Sequence, residues 1–137
     1  MHVRDFTISP TSGVDEAYRG TYRGAHQTGT KNAQGDATAF DYIKELGVNV
    51  VQLQPVTDRY KTYDEDGNVL YNWGYDVQNY SAPETSYSTK PHDPKTTMRE
   101  LKEMIHAYHE AGISVVMDVV YNCLLYTSDA ADDLIGV

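Results

Sequence analysis

The sequence Ile113-Ser-Val-Val-Met-Asp-Val-Val-Tyr-Asn122 has the strongest strand pattern in this chain. Its apolar residues form a nearly continuous run, which is typical of a strand covered on both faces in a parallel sheet. Gly112 precedes this strand and is a natural stop for a helix, which we predict over residues 98–111. Thr97 and Glu100 have the spacing of a capping box at the helix start. The buried stripe of the helix is predicted to contain Leu101, Met104, Ile105 and Tyr108.

Towards the N-terminus, a helix followed by a glycine and a strand occurs once more. The helix is predicted over residues 36–46, and the strand over 48–53. Residues 1–8 alternate in character and include β-branched side chains, so they are predicted to form a first strand. The segments 9–35 and 57–95 are predicted to be long loops. The predicted order is therefore strand, helix, strand, helix, strand.

This order is the repeating unit of parallel α/β folds. Two architectures share it, a (β/α)8 barrel and an open doubly wound sheet. No Gly-x-Gly-x-x-Gly follows the first predicted strand, which disfavours the dinucleotide-binding form of the open sheet. Both long loops follow strands, and a barrel builds its active site from such loops.

Length, composition and charge limit the possible functions. The chain has 137 residues, 40% of them hydrophobic, which is enough for one domain with a core. The formal net charge of −9 argues against binding nucleic acid or an anionic membrane surface. No apolar run reaches the roughly 20 residues of a membrane-spanning helix. Met1–Phe6 lacks the basic and then apolar plan of a signal peptide, and the single cysteine excludes an internal disulfide.

Asp118 interrupts the apolar strand, where an unpaired carboxylate would be costly. Side chains alternate between strand faces, so Asp118 and Asn122 are predicted to share one face. A structural role, in which Asp118 holds neighbouring strands or loops, is as compatible with the sequence as a functional one. In the functional interpretation, both residues line a site at the carboxyl end of the strand.

Tyrosine is the most over-represented residue, with 12 in the chain against one Trp and two Phe. Because a buried tyrosine hydroxyl requires a partner, a surface cleft explains many tyrosines more naturally than a core does. Six of them and Trp73 lie within residues 60–87, around Tyr71-Asn-Trp-Gly-Tyr-Asp76. Flat aromatic rings suit the C–H faces of sugars. On composition alone, however, a self-packed loop that covers the sheet is the favoured interpretation.

Other candidate sites are better explained by structure. His106 and His109 lie three residues apart on a predicted helix and could share a metal, but a solvated helix face is the favoured interpretation. Asp64-Glu-Asp-Gly67 lacks the later ligands of a calcium-binding EF-hand and is predicted to be a turn. The sequence predicts no cofactor within this chain.

The motif Tyr71-Asn-Trp-Gly-Tyr-Asp76, with Pro83-Glu84 and Ser86-Tyr-Ser-Thr89 after it, resembles the signature stretch of type I pullulanases. These enzymes belong to the α-amylase superfamily, glycoside hydrolase family 13. Val77 stands where the family usually has proline. Residues 2–6 and 46–56 resemble the first and second barrel strands, and Met117–Asn122 resembles the superfamily's first conserved region.

The resemblance implies α/β architecture in the form of a partial TIM barrel, with strands 1–3 and helices 1–2 of a (β/α)8 fold. It also implies retaining hydrolysis of α-1,6-glucosidic bonds in an α-glucan polysaccharide: pullulan, amylopectin or glycogen. The catalytic carboxylates of the family lie on later strands, so this chain is expected to be inactive alone. Isoamylase, branching enzyme, amylase and a non-catalytic carbohydrate-binding protein are the alternatives. Calcium binding by the full-length enzyme is left open.

The resemblance assigns substrate contacts to several residues. Tyr75 matches the tyrosine that stacks on the sugar at the cleavage site, and Asp118 and Asn122 match residues that shape this site from below. Trp73 and Asp76, in the same motif, are also expected to contact substrate. The likeness stops after Asn122, where the family has histidine and this chain has Cys123. Residues 1–122 are therefore expected to be a partial catalytic barrel, and 123–137, which resemble a translated sequencing adapter, a non-native tail.

Overall fold

The computed structural model describes residues 1–121 of the chain. Site residue Asn122 and the expected tail over 123–137 lie outside the described residues. The helices are α1 (Val3–Thr7), α2 (Ala39–Leu46) and α3 (Pro94–Glu110), and the strands are β1 (Val50–Leu53), β2 (Thr57–Arg59), β3 (Val77–Pro83) and β4 (Ser114–Met117). Short 3-10 helices occupy Pro10–Ser12, Glu16–Tyr18, Gly24–His26 and Thr85–Tyr87.

The parallel pairing of β1 with β4 confirms the predicted β-α-β arrangement. The register runs from Val50 opposite Ser114 to Leu53 opposite Met117, with α3 in the connection between the strands. Both strands are shorter than predicted, as is α2. Gly47 ends α2 with a φ of 71°, a left-handed conformation that glycine adopts without strain.

The prediction of a strand over residues 1–8 is wrong, because most of this segment forms α1. The His2 side chain accepts a hydrogen bond from the Asp5 amide and caps the helix. Strand-like pairing is confined to Met1: its ammonium donates to the Gln52 carbonyl at 2.6 Å, and its carbonyl accepts from the Gln54 amide at 2.8 Å. The hydrogen bond that caps the helix therefore determines the conformation of this segment, although its sequence alternates as in a strand.

The segment 57–95, predicted to be a loop, contains the antiparallel hairpin of β2 and β3. Arg59 pairs with Val77 and Thr57 with Pro83, with register shifts between them. β2 has only three residues, and most of β3 is exposed, so neither strand has a periodic apolar pattern that a sequence would show. The hairpin forms the base of the loop that carries the aromatic motif.

The predicted capping box at Thr97 and Glu100 is also wrong. Helix α3 begins four residues earlier than predicted, at Pro94, and its N-cap is Asp93, whose carboxylate accepts from the Lys95 amide at 3.1 Å. Glu100 is buried and accepts from the Ser88 hydroxyl at 3.0 Å and from the Thr89 amide at 2.9 Å. Glu100 therefore connects α3 to the chain that follows β3.

Three tyrosines lie in the core rather than at the surface. Tyr22 donates to the Glu84 carbonyl at 2.9 Å, Tyr108 donates to the Ala25 carbonyl at 3.0 Å, and the Tyr87 hydroxyl lies 3.0 Å from Nε2 of His2. Because each hydroxyl has a partner, burial is tolerated. Part of the tyrosine excess therefore belongs to the core and not to a cleft.

The main core fills the space between helix α3, helix α2 and strand β1. It contains buried Val3, Tyr22, Ala25, Phe40, Val51, Leu53, Val56, Tyr87, Met104, Tyr108 and Ile113. Strand β4 is not covered on both faces by the described residues, contrary to prediction: Val116 is 47% exposed and Met117 is 42% exposed. The sheet within residues 1–121 therefore presents apolar surface to solvent.

Candidate functional site

The aromatic motif lies in the loop between β2 and β3, close to the base of the hairpin. The Tyr60 amide donates to the Asp76 carbonyl at 3.1 Å, which extends the hairpin pairing into the loop. Farther out, the Asp64 carboxylate accepts from the amides of Asp66 and Asn68 at 3.0 and 2.8 Å. These bonds confirm the predicted turn at Asp64.

Asn72 closes the turn that carries the motif. Its side-chain oxygen accepts from the Gly74 amide at 2.7 Å, and its side-chain nitrogen donates to Oδ2 of Asp76 at 2.8 Å. Gly74 has a φ of 94°, and a Cβ at this position would lie 2.9 Å from the Pro55 carbonyl oxygen. The turn therefore requires a glycine at position 74 for both its conformation and its close approach to the end of β1.

An open cleft of about 540 Å³ lies against this turn, lined by Tyr71, Asn72, Trp73, Tyr75 and Asp76. The Trp73 side chain is 61% exposed and that of Tyr71 is 52% exposed. A loop packed on itself would bury these rings, so the self-packed interpretation does not hold for them. Exposed aromatic faces grouped at one concave surface are typical of a binding site.

The cleft is joined to the sheet by a hydrogen bond between Tyr75 and Asp118. The Tyr75 hydroxyl donates to Oδ2 of Asp118 at 2.7 Å, across 43 positions of sequence. Asp118 follows the last residue of β4, and its amide donates to the Leu53 carbonyl at 2.8 Å. The hydrogen bond to Asp118 raises the pKa of the Tyr75 hydroxyl, so this group stays protonated at neutral pH and acts as the donor.

The structure thus brings four of the five predicted substrate contacts to one end of the sheet. Tyr75 and Asp118 are in contact, and Trp73 and Asp76 flank Tyr75 on the same turn. Oδ2 of Asp76 is bound to Asn72, and Oδ1 is buried with no hydrogen-bond partner among the described residues. The fifth residue, Asn122, lies outside those residues. That these side chains contact substrate stays a prediction.

Glu84 is a residue of the site that the sequence indicated only as part of a motif. Its fully buried carboxylate accepts from the Ser86 amide at 2.8 Å and from the Arg59 amide at 3.2 Å. Nζ of Lys61 lies 3.4 Å from Oε1 of the same carboxylate. Glu84, which follows β3, therefore holds Arg59 at the end of β2 and Lys61 just after it.

His2 and Tyr87 form a second support for the turn. Nε2 of His2 lies 3.3 Å from the Asn72 carbonyl oxygen and 3.0 Å from the Tyr87 hydroxyl. Burial lowers the pKa of His2, and burial raises the pKa of Tyr87 to about 12, so both side chains are neutral near pH 7. No local pattern reveals such contacts, which join residues 70 and 85 positions apart.

Residues 1–121 contain no group of three or more His, Cys, Asp or Glu side chains arranged to bind a metal ion. His106 and His109 both lie on the exposed face of α3, as predicted for a solvated helix face. Within the same residues, none of the helices combines the length and apolar character that crossing a membrane requires.

The parallel β-α-β arrangement, with an open cleft near the carboxyl ends of its strands, defines the class as parallel α/β, which includes both barrels and open sheets. The family model for the alpha-amylase catalytic domain matches residues 17–133. The chain therefore belongs to the alpha-amylase family. The expected fold, the first strands of a (β/α)8 barrel, is confirmed by this match and by the similarity to solved structures below.

Curated relatives include a pullulanase of Bacillus subtilis, 43% identical over 121 residues, and the chloroplastic isoamylase 3 of Oryza sativa subsp. japonica, 36% identical over 137 residues. These alignments cover 88% and 96% of this chain, but only 17% and 16% of the relatives. The chain thus corresponds to about one sixth of their length.

Solved structures of pullulanases are also similar to this chain. A pullulanase of Anoxybacillus sp. LM18-11 in complex with maltotetraose is 48% identical, with a TM-score of 0.81, over 89% of this chain and 18% of that one. Pullulanase type I of Bacillus subtilis in complex with maltose is 42% identical, with a TM-score of 0.84, over 92% of this chain and 17% of that one. The arrangement of β1, α3 and β4 is therefore that of the corresponding barrel segment.

Proposed function

We propose that this chain is a segment of the catalytic barrel of an α-glucan debranching hydrolase that cleaves α-1,6-glucosidic bonds, as in pullulan, amylopectin or glycogen. The observation that carries the proposal is the hydrogen bond from Tyr75 to Asp118, which joins the exposed aromatic turn to the carboxyl end of β4. The names of the relatives support the substrate class, since both pullulanases and isoamylases are among them.

Each of the predicted site residues has a proposed role in positioning the glucan. The Tyr75 ring stacks on the sugar at the cleavage site, and its hydrogen bond to Asp118 fixes the ring's orientation. Asp118 and Asn122 form the floor below this sugar. Trp73, on the outer side of the turn, offers a second flat face to a neighbouring unit of the glucan, and Oδ2 of Asp76, which already accepts from Asn72, offers a second acceptor position to a sugar hydroxyl.

Bond cleavage itself is assigned to other parts of the enzyme. A retaining glycosidase uses two carboxyl groups about 5 Å apart, one as nucleophile and one as acid and base. Residues 1–121 are proposed to bind and orient the glucan, while the two carboxylates lie on later strands of the barrel. On this account residues 1–122 are the enzyme segment and 123–137 are foreign to it, so the gene from the same source should encode histidine after Asn122.

A chimera tests the proposal directly. Residues 1–121 would replace the matching segment of the Bacillus subtilis pullulanase, here called the pullulanase chimera. We expect a folded chimera that releases reducing sugar from pullulan, with kcat/KM lowered about five- to tenfold or more by Tyr75→Ala. Tyr60→Ala, which removes a nearby tyrosine outside the cleft lining, is the matched control and should have much less effect.

Two results would contradict the proposal. One is a chimera that unfolds cooperatively but does not hydrolyse pullulan or debranch amylopectin. The other is an equal loss from Tyr75→Ala and Tyr60→Ala, which would reduce the aromatic turn to packing. Hydrolysis of α-1,4 bonds in amylose without debranching would instead favour an amylase.

A further inference from the structure

His2 contacts the aromatic turn from outside the lining of the cleft. Its side chain is only 4% exposed. The ring packs between Tyr71 and Tyr87, with centroid distances of 5.6 and 5.5 Å. The first residues of α1 thus contact the site loop about 70 positions later in the sequence.

The hydrogen bonds of His2 define which ring nitrogen carries the proton. Nδ1 accepts from the Asp5 amide at 3.2 Å, so this nitrogen is unprotonated in the neutral ring. The proton is therefore on Nε2, which faces the Asn72 carbonyl at 3.3 Å and the Tyr87 hydroxyl at 3.0 Å. A carbonyl only accepts, so Nε2–H is the donor to Asn72.

Asn72 is the residue through which this contact reaches the cleft. Its side chain holds Gly74 and Asp76, the neighbours of Tyr75, while its carbonyl is held by His2. Tyr71, immediately before it, donates to the Asp5 carboxylate and lies under the Arg4 guanidinium, 5.4 Å from the ring centroid. The start of α1 therefore fixes the backbone from which Trp73 and Tyr75 project.

We propose that His2 is a positioning residue for the aromatic turn, acting as a neutral Nε2–H donor to the Asn72 carbonyl. The sugar-binding consequence rests on the proposed function, whereas the ordering of the turn does not. Protonation of Nδ1 would displace the Asp5 amide and place a cation in a buried site. Turn order should therefore depend on the charge of His2.

The groups that face His2 set the direction of this pH dependence. Burial lowers its pKa; Asp5 opposes this shift, and Arg59 and Arg4 add to it, while Tyr71 and Tyr87 are neutral. Because the folded-state pKa lies below the unfolded value of about 6.5, the stability from neutral His2 is fully present above about pH 6.5. It is lost as the pH falls through the lower folded-state pKa.

Two substitutions in the pullulanase chimera separate the contacts of His2. In His2→Asn, the amide oxygen can replace Nδ1 as the cap of α1 but does not reach Asn72. In His2→Gln, the amide nitrogen can replace the Nε2–H donor. Hydrogen exchange of residues 71–76 without ligand reads out the order of the turn in both variants.

We expect exchange about fivefold faster in His2→Asn, the effect of losing one ordinary hydrogen bond, and near-parental exchange in His2→Gln. On pullulan, His2→Asn should raise KM more than it lowers kcat. As the pH is lowered below about 6.5, the Tm of the parent should fall relative to the Tm of His2→Gln.

The positioning role would be overturned by unchanged exchange in His2→Asn or by equal acceleration in both variants. The dependence on charge would be overturned by a Tm difference that is constant from pH 5 to 8. Because exchange and Tm need no substrate, a chimera that fails on pullulan but shows the exchange pattern would reject the proposed function and leave this inference standing.

Discussion

The hairpin that carries the aromatic turn and the parallel pair of β1 and β4 are stabilised in different ways. In the hairpin, buried carboxylates add to the main-chain pairing: Glu84, which follows β3, holds Arg59 at the end of β2, and Glu100 holds the chain that follows. In the parallel pair, main-chain pairing is complete, but Val50, Val116 and Met117 expose much of their apolar side chains. The site loop is thus anchored within the described residues, while its supporting sheet presents apolar faces that further barrel elements would cover.

The difference follows from the nature of the two interactions. A buried carboxylate is stable only with specific hydrogen-bond partners, so those partners are close and few. Apolar stabilisation is proportional to the area removed from water, so a sheet face needs broad cover. A two-stranded sheet alone is marginal at best. We therefore expect the geometry of the turn to survive in any enzyme that completes the sheet.

The largest expected effect is the loss of all activity when the sheet is not completed. The purified 137-residue chain should release no reducing sugar from pullulan above a boiled control, since on the proposed function it binds the glucan without the nucleophile and acid. It should also lack a cooperative thermal transition. Pullulan hydrolysis by this chain, or a sharp transition in a monomer, would show that residues 1–121 do not need the missing barrel.

The next effect concerns the anchor of the hairpin. Glu84→Ala in the pullulanase chimera should lower the free energy of unfolding by about 3 kcal/mol, because it leaves the buried Arg59 guanidinium without its carboxylate partner. Glu65→Ala, in the exposed turn of the same loop, is the matched control and should cause no measurable change. Denaturant unfolding of both variants provides the measurement. A small effect of Glu84→Ala would mean that the hairpin, like the sheet, depends on elements elsewhere.

A smaller effect is expected where the turn meets the sheet. Gly67 and Gly74 both have positive φ, of 81° and 94°, but only Gly74 lies close to other atoms, at Pro55. Gly67→Ala should cost about 1 kcal/mol of stability through backbone strain alone. Gly74→Ala should cost more and should also raise KM for pullulan, because the turn must move away from β1. Equal Tm shifts and an unchanged KM would show that the close approach is unimportant.

The contrast between the hairpin and the parallel pair also explains which elements the sequence predicted. Helices α2 and α3 were predicted because apolar residues repeat at helical spacing, as with Met104 and Tyr108 in α3, and β4 was predicted because its apolar residues form a nearly continuous run. The position of Asp118 at the carboxyl end of its strand was anticipated because barrel sites form there, whereas the place of Tyr75 at the same site was implied only by the motif resemblance. Motif resemblance supplied the choice between a barrel and an open sheet.

What the sequence did not predict depends on single polar contacts. The strand assigned to residues 1–8 became α1 because one His2 nitrogen caps it, and α3 began early because Asp93 rather than Thr97 is its cap. The hairpin was missed because β2 has three residues and β3 is largely exposed, so neither has an alternating apolar pattern, while the bond of Arg59 to Glu84 joins residues 25 positions apart. Hydrogen bonds between residues far apart in sequence leave no periodic signal.

The central claim is that the Tyr75–Asp118 hydrogen bond joins the aromatic turn to the sheet in a form that binds the glucan. A double-mutant cycle in the pullulanase chimera, with Tyr75→Phe, Asp118→Asn and the double variant, measures it through kcat/KM on pullulan. We predict strong coupling: each single change lowers kcat/KM about fivefold or more, and the second change adds little to the first. Independent, multiplicative losses would contradict the account, because the two residues would then act separately.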